Sequence, residues 1–134
     1  MATKLQAVEA IKHLRPFISR SQLQALGDAC RGEERHFFID KIVEYGARVN
    51  NMPRVYDQDG LGDNAIAYLH YFIGGIDAYI TERDTSRDQH QAFGTINLGY
   101  GFELGYISIQ ELIDNGAELD LHFDPTPLCK LHLT

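Results

Sequence analysis

The stretch Glu103–Asp124, ELGYISIQELIDNGAELDLHFD, constrains the fold most, because its local signals agree from end to end. Glu103–Ile109 opens with the β-forming residues Leu104, Tyr106 and Ile107. Ser108 is placed to cap a short helix, with Glu111 three residues on to complete a capping box. Asn115-Gly116 stops that helix, since glycine tolerates the left-handed conformation in which many helices end. Leu119, Leu121 and Phe123 then alternate with Glu118, Asp120 and His122, the period of a half-buried strand, and Asp124-Pro125 ends it.

The N-terminal third is helical in pattern. Thr3 and Gln6 form a capping box ahead of a stripe of Leu5, Val8, Ile11 and Leu14, and Arg15-Pro16 closes this helix. Ser19 or Ser21 caps a second helix carrying Leu23, Leu26 and Cys30 on one side, and Gly32 closes it. The third and strongest helix is expected over about Glu33–Asn51, with Phe38, Ile42, Tyr45 and Val49 inward and Ile39, Val43 and Gly46 alongside. From Arg54 the texture changes. Tyr56–Asn64 is a turn-rich loop, Ile66–Phe72 and Ile76–Glu82 read as a hairpin across Gly74-Gly75, Asp84–Gln91 as a polar, mobile connection, and Ala92–Leu98 as a third strand.

These elements predict one α+β domain, helical over 1–53 and β-rich over 54–128. Three N-terminal helices would pack on a mainly antiparallel five-stranded sheet, with one short helix between the last two strands. The 134 residues suffice for one core, and no apolar run approaches a membrane span. The amphipathic N-terminus lacks a signal-peptide core, so a cytoplasmic location is expected. Cys30 and Cys129 lie in no metal or redox spacing and read as reduced, mostly buried thiols.

The net charge of −7 is unevenly placed: residues 1–55 carry nine Lys/Arg against six Asp/Glu, and residues 56–134 carry three against thirteen. The acidic half argues against a nucleic-acid partner, which needs clustered cations, and is compatible with a basic protein surface or a solvated face.

No motif names a reaction. Asp57, Asp59 and Asp63 offer oxygen ligands in DQDGLGD, but the twelfth position from Asp57 is Tyr68 where a calcium loop needs Glu, and the fifth is Leu61. Turn formation accounts for them, and neither a metal nor a cofactor is expected. Gly99, Gly101 and Gly105 miss the dinucleotide fingerprint in spacing and are followed by a strand-like run. His70 sits mid-strand, and with Glu82, Asp120 or His122 from a neighbouring strand it forms the one candidate acid–base set; a hydrogen-bonded structural histidine is the simpler account. The aromatics Tyr68, Tyr71, Phe72 and Tyr79 suit core packing better than base stacking, because few cations surround them.

The blocks RVYDQDG (Arg54–Gly60), AYLHYF (Ala67–Phe72), AYITERD (Ala78–Asp84), QAFG (Gln91–Gly94), ELGYISIQEL (Glu103–Leu112) and ELDLHFDPTPL (Glu118–Leu128) carry a resemblance, with a weaker echo in GEERHFFIDKI (Gly32–Ile42). Over roughly residues 54–128 the chain resembles a domain-of-unknown-function family of small proteins from phages, plasmids and integrative elements, also found beside large mobile-element proteins. The resemblance supplies no catalytic residues. It implies a setting, the bacterial cytosol and horizontally mobile DNA. The leading expectation is therefore a non-enzymatic protein-interaction module whose partner is a host or mobile-element protein, with inhibition of a host defence complex such as a CRISPR or restriction nuclease as a narrower version. Asp57, Asp59, Asp63, Glu118 and Asp120 are its candidate binding residues. The alternative is a small enzyme or ligand binder with its site on the sheet around His70, Tyr79, Glu82 and His122. The oligomeric state is left open.

Overall fold

The computed structural model describes residues 1–99 and 101–131. Its class is α+β, and the chain divides into two compact units, Met1–Asn51 and the residues from Met52 onward.

The first unit holds α1 (Lys4–Leu14), a 3-10 turn (Arg15–Phe17), α2 (Arg20–Ala29) and α3 (Arg35–Asn51). The expected caps are formed: Thr3 Oγ1 accepts from Gln6 N at 3.1 Å while Gln6 Oε1 accepts from Thr3 N at 2.8 Å, and Ser19 Oγ accepts from Gln22 N at 3.1 Å. The buried side of α1 differs from the apolar stripe. Ala7, Ala10 and Leu14 are buried, whereas Leu5 is 80% and Val8 55% exposed. The reason is the closeness of α3. A Cβ on Gly46 would lie 2.7 Å from the Cβ of Ala10, so the helices meet through small residues and size, not hydrophobicity, selects the face. On α3 the buried set is Ile39, Ile42, Tyr45, Gly46 and Val49, and Phe38 is only half-buried.

The second unit is built on an antiparallel sheet of β2 (Leu69–Ile73), β3 (Ile76–Glu82), β4 (Ala92–Asn97), β5 (Phe102–Ile107) and β6 (Glu118–Leu119), in the order β5-β4-β3-β2-β6. A second, two-stranded sheet pairs β1 (Ile66–Ala67) with β7 (Thr126–Pro127). Helix α4 (Ile109–Asp114) has Ser108 as its N-cap, accepting from Glu111 N at 3.1 Å, and Gly116 beyond its C-terminus has φ +98°.

Alternation gives the sheet two faces. Leu69, Tyr71, Ala78, Ile80, Ala92, Ile107 and Leu119 are buried on one of them. The other, called here the outer face, carries His70, Tyr79, Thr95 and Leu104 in one cross-strand row. Loop 56–65 and the segment after β6 cover part of it, giving a small satellite core of Ala65, Ala67 and Leu128 against Tyr79 and Phe123.

Three local features depart from the reading of the sequence. First, the register shifts between Ile80 and Glu82, so that Ile80 faces Gly94 but Glu82 faces Phe93. This β-bulge moves Glu82 to the outer face, in the row of Phe93 and Tyr106. Second, the last strand ends early. Asp120 N donates to His70 O at 2.8 Å, and the Asp120 carboxylate then accepts from His122 N at 2.8 Å, turning the chain out of the ladder. Leu121 is consequently half-buried and Leu119 is the buried leucine. Third, loop 84–91 is tied down: Asp84 accepts from Ser86 N and Gln91 N, each at 3.0 Å, and fully buried Gln89 bonds Asp84 N and Ser86 O. Both cysteines are free, Cys30 half-buried and Cys129 exposed.

Candidate functional site

His70 sits on the outer face of β2 between two carboxylates. Its Nδ1 lies 2.9 Å from Asp120 Oδ2 and its Nε2 2.7 Å from Asp77 Oδ1. The Tyr79 ring stacks on the imidazole, with centroids 4.6 Å apart and planes at 11°. Burial pushes Asp120 up, but the His70 hydrogen bond, the His122 N–H and the two nearby histidines outweigh it and hold this carboxyl below its ordinary value. Burial, then the charges of Asp77 and Asp120, push the Tyr79 hydroxyl up. An imidazolium can donate to both carboxylates at once, so this set ties β6, β2 and β3 together. Both ring nitrogens are engaged, which leaves neither to take a proton from a substrate.

The sequence grouped His70 with Glu82, Asp120 or His122, and of these Asp120 is the one that meets it. His122 lies on the exposed turn after β6, where its backbone N–H serves Asp120. Glu82 shares the outer face with His70 but belongs to the next row of residues, at the bulge.

There Glu82 lines a cavity of about 380 Å3, within the range of small-ligand sites. Glu82 is 4% exposed, yet the hydrogen bonds it accepts are long: 3.4 Å from Gln58 N and 3.3 Å from Thr81 Oγ1, which also bonds Phe93 O at 3.1 Å. Aromatic walls come from Tyr56, Phe93 and Tyr106, with Leu104 beside them and Asp59 also lining the cavity. The hydroxyls of Tyr56 and Tyr106 meet at 2.7 Å. This hydrogen bond, then burial, then the charges of Tyr56, Asp59 and Glu82, push the Tyr106 hydroxyl up, as expected at a site of negative potential.

Loop 56–65 is held over the sheet by one buried side chain. Gln58 Nε2 donates to Ile66 O at 2.9 Å and Thr81 O at 2.8 Å, and its Oε1 accepts from Ile66 N at 2.7 Å. The amide thus replaces a missing strand between the loop, β1 and β3. Tyr56 has φ +82°, a strained value for a bulky residue and one often kept at a binding site.

The acidic candidates separate. Asp59 reaches the cavity; Asp57 accepts from Arg54 N at 2.8 Å and shapes the loop; Asp63 lines a different hollow with Thr95, Phe102 and Leu104. Glu118 is exposed opposite Phe72, and Asp120 is engaged by His70. Tyr56, Gln58, Phe93 and Tyr106 were not singled out from the sequence as site residues. The available signal was the exposed alternation of Leu104 and Tyr106 in ELGYI.

Among the described residues no group of His, Cys, Asp and Glu is arranged to hold a metal ion, and no helix is long and apolar enough to cross a membrane. No protein-family model matches the chain, and neither a curated protein nor a solved structure matches it.

Proposed function

We propose that the chain is a non-enzymatic binding module that takes a basic side chain of a host or mobile-element protein into the Glu82 cavity. The observation that carries this reading is a carboxylate 4% exposed, accepting only long hydrogen bonds among the described residues, at an aromatic-walled cavity. A guanidinium or ammonium would give Glu82 short charge-assisted bonds, about 2.7–2.9 Å. The ring faces would add cation–π attraction, and the acidic half of the chain would steer a cationic partner toward it. In a mobile element, the setting the family resemblance implies, such a module suits a defence complex whose nucleic-acid groove is lined by Lys and Arg. The enzyme reading around His70, Glu82 and His122 has less support, because both His70 nitrogens already face carboxylates.

The test is a titration with n-butylguanidinium, followed by amide chemical shifts. Gln58, Glu82 and Tyr106 should respond, and Glu82→Gln should weaken binding by about 10-fold or more, the worth of one charge-assisted bond. An unchanged dissociation constant in Glu82→Gln, or equal binding of n-pentanol, would refute the reading.

A further inference from the structure

The cavity opens beside β5, and β5 is an edge. Among the described residues it has one ladder partner, β4, with six consecutive residue pairs from Ala92–Ile107 to Asn97–Phe102 and no bulge. Edges of this length are commonly blunted by proline, charged side chains or a bulge; Phe102–Ile107, FELGYI, has neither proline, lysine nor bulge, and its one charge is Glu103, exposed on the face of Ile96 and Ile107. The other edge of the sheet, β6, is two residues long and is closed by the Asp120 turn.

Hollows flank β5 on both faces. On the outer face Leu104 and Tyr106, 51% and 56% exposed, border the Glu82 cavity. On the opposite face Ile107 borders a second hollow of about 510 Å3 with Ile73, Ile76, Ile96 and Leu98, whose rim carries Glu111. Tyr106 borders both.

We infer that the partner segment is an extended peptide that adds to the β5 edge as a sixth strand. This deepens the reading given above and rests on it. An added strand sends alternate side chains to opposite faces. Those on the outer face stand beside the Glu82 cavity and need to be Arg or Lys. Those on the other face stand over the isoleucine-lined hollow and need to be aliphatic. The fitting occupant is therefore an amphipathic strand, basic on one face and apolar on the other. Charge favours it over a second copy of this chain, since each copy carries −7 and β5 itself holds Glu103.

The probe is a capped heptapeptide alternating arginine and valine, titrated into the labelled full chain, together with two variants of it. One variant is N-methylated at the arginines and the other at the valines. The side chains are kept, but in each variant the amide donors along one edge of the peptide are removed. Strand addition predicts that one pattern loses about 10-fold or more in affinity relative to the other, since only one edge of the peptide bonds β5. Slowed hydrogen exchange of β5 amides should accompany binding of the unmethylated peptide. No binding, or equal affinity of the two methylated peptides, overturns the inference. The cavity reading is scored separately by Glu82→Gln, which should weaken the unmethylated peptide whichever methylation result is obtained. A dimer of the free chain with protected β5 amides would also overturn the inference, in favour of self-pairing.

Discussion

Gly94 and Gly105 face each other across β4 and β5, but they differ in what surrounds them. A Cβ on Gly94 would stand 2.0 Å from Tyr79 O and 2.9 Å from Ile80 Cα, because the bulge presses the β3 backbone onto this position. A Cβ on Gly105 would have nothing within 4 Å. For Gly94→Ala the strands must separate by about 1.5 Å to restore an ordinary contact, which breaks the adjacent ladder bonds. Overpacking of this kind costs roughly 1–3 kcal/mol, and the loss of two hydrogen bonds adds about 2 kcal/mol, so about 3–5 kcal/mol is expected. Gly105→Ala should be neutral or stabilise by up to about 1 kcal/mol, because it removes backbone freedom from the unfolded chain. Urea melts read both, and at a slope of about 2 kcal/mol/M the Gly94 variant should lose about 1.5 M or more in midpoint. Its Glu82 cavity should also lose affinity for n-butylguanidinium, since the same bulge aims Glu82. Equal melts for the two alanine variants would show that the bulge geometry is wrong, and with it the placement of Glu82.

Other expectations follow from the same unit. Leu119→Ala, at a side chain only 2% exposed, should cost about 2–5 kcal/mol by urea melt, and Leu121→Ala less, where simple alternation along ELDLHF would rank the two alike. Ser108→Ala removes the cap on Glu111 N and should cost about 0.5–2 kcal/mol. Asp120 is held below its ordinary carboxylate value, so its contribution to stability is present above the unfolded value near 3.8 and is lost as the pH falls through the depressed one. The wild-type chain should therefore lose stability in acid below about pH 4, and Asp120→Asn should be less stable at neutral pH with a shallower acid loss. Thermal melts from pH 2 to pH 7 check this; parallel curves for the two proteins would contradict it.

What could be read from the sequence was local. Thr3, Ser19 and Ser108 cap because a hydroxyl one residue ahead of a helix has few other uses, and the β2–β3 hairpin and the start of β5 follow from composition and turn residues within a few positions. What escaped was set by partners distant in sequence. The inward face of α1 depends on Gly46, 36 residues after Ala10, which favours alanine over the more apolar leucine and valine. The early end of β6 depends on Asp120 using its carboxylate on His122 N, where the alternation of leucines promised two more rungs. The candidate site escaped for the same reason. Counting by twos from Tyr79 puts Glu82 on the buried side with Ala78 and Ile80, and only the extra residue at the bulge returns it to the face of Phe93 and Tyr106. Nor does the sequence show that the middle residue of DQD, Gln58, is the one that fastens the loop.

The central claim is that Glu82 is the anion of a cation site, and a crystal structure of the chain soaked with n-butylguanidinium tests it most directly. The account predicts a guanidinium nitrogen about 2.9 Å from a Glu82 carboxylate oxygen, with the butyl chain against the rings of Phe93 and Tyr106, and an empty cavity in Glu82→Gln treated identically. A guanidinium seated instead at Glu103, Asp63 or Glu118, with the Glu82 cavity unfilled, would contradict it.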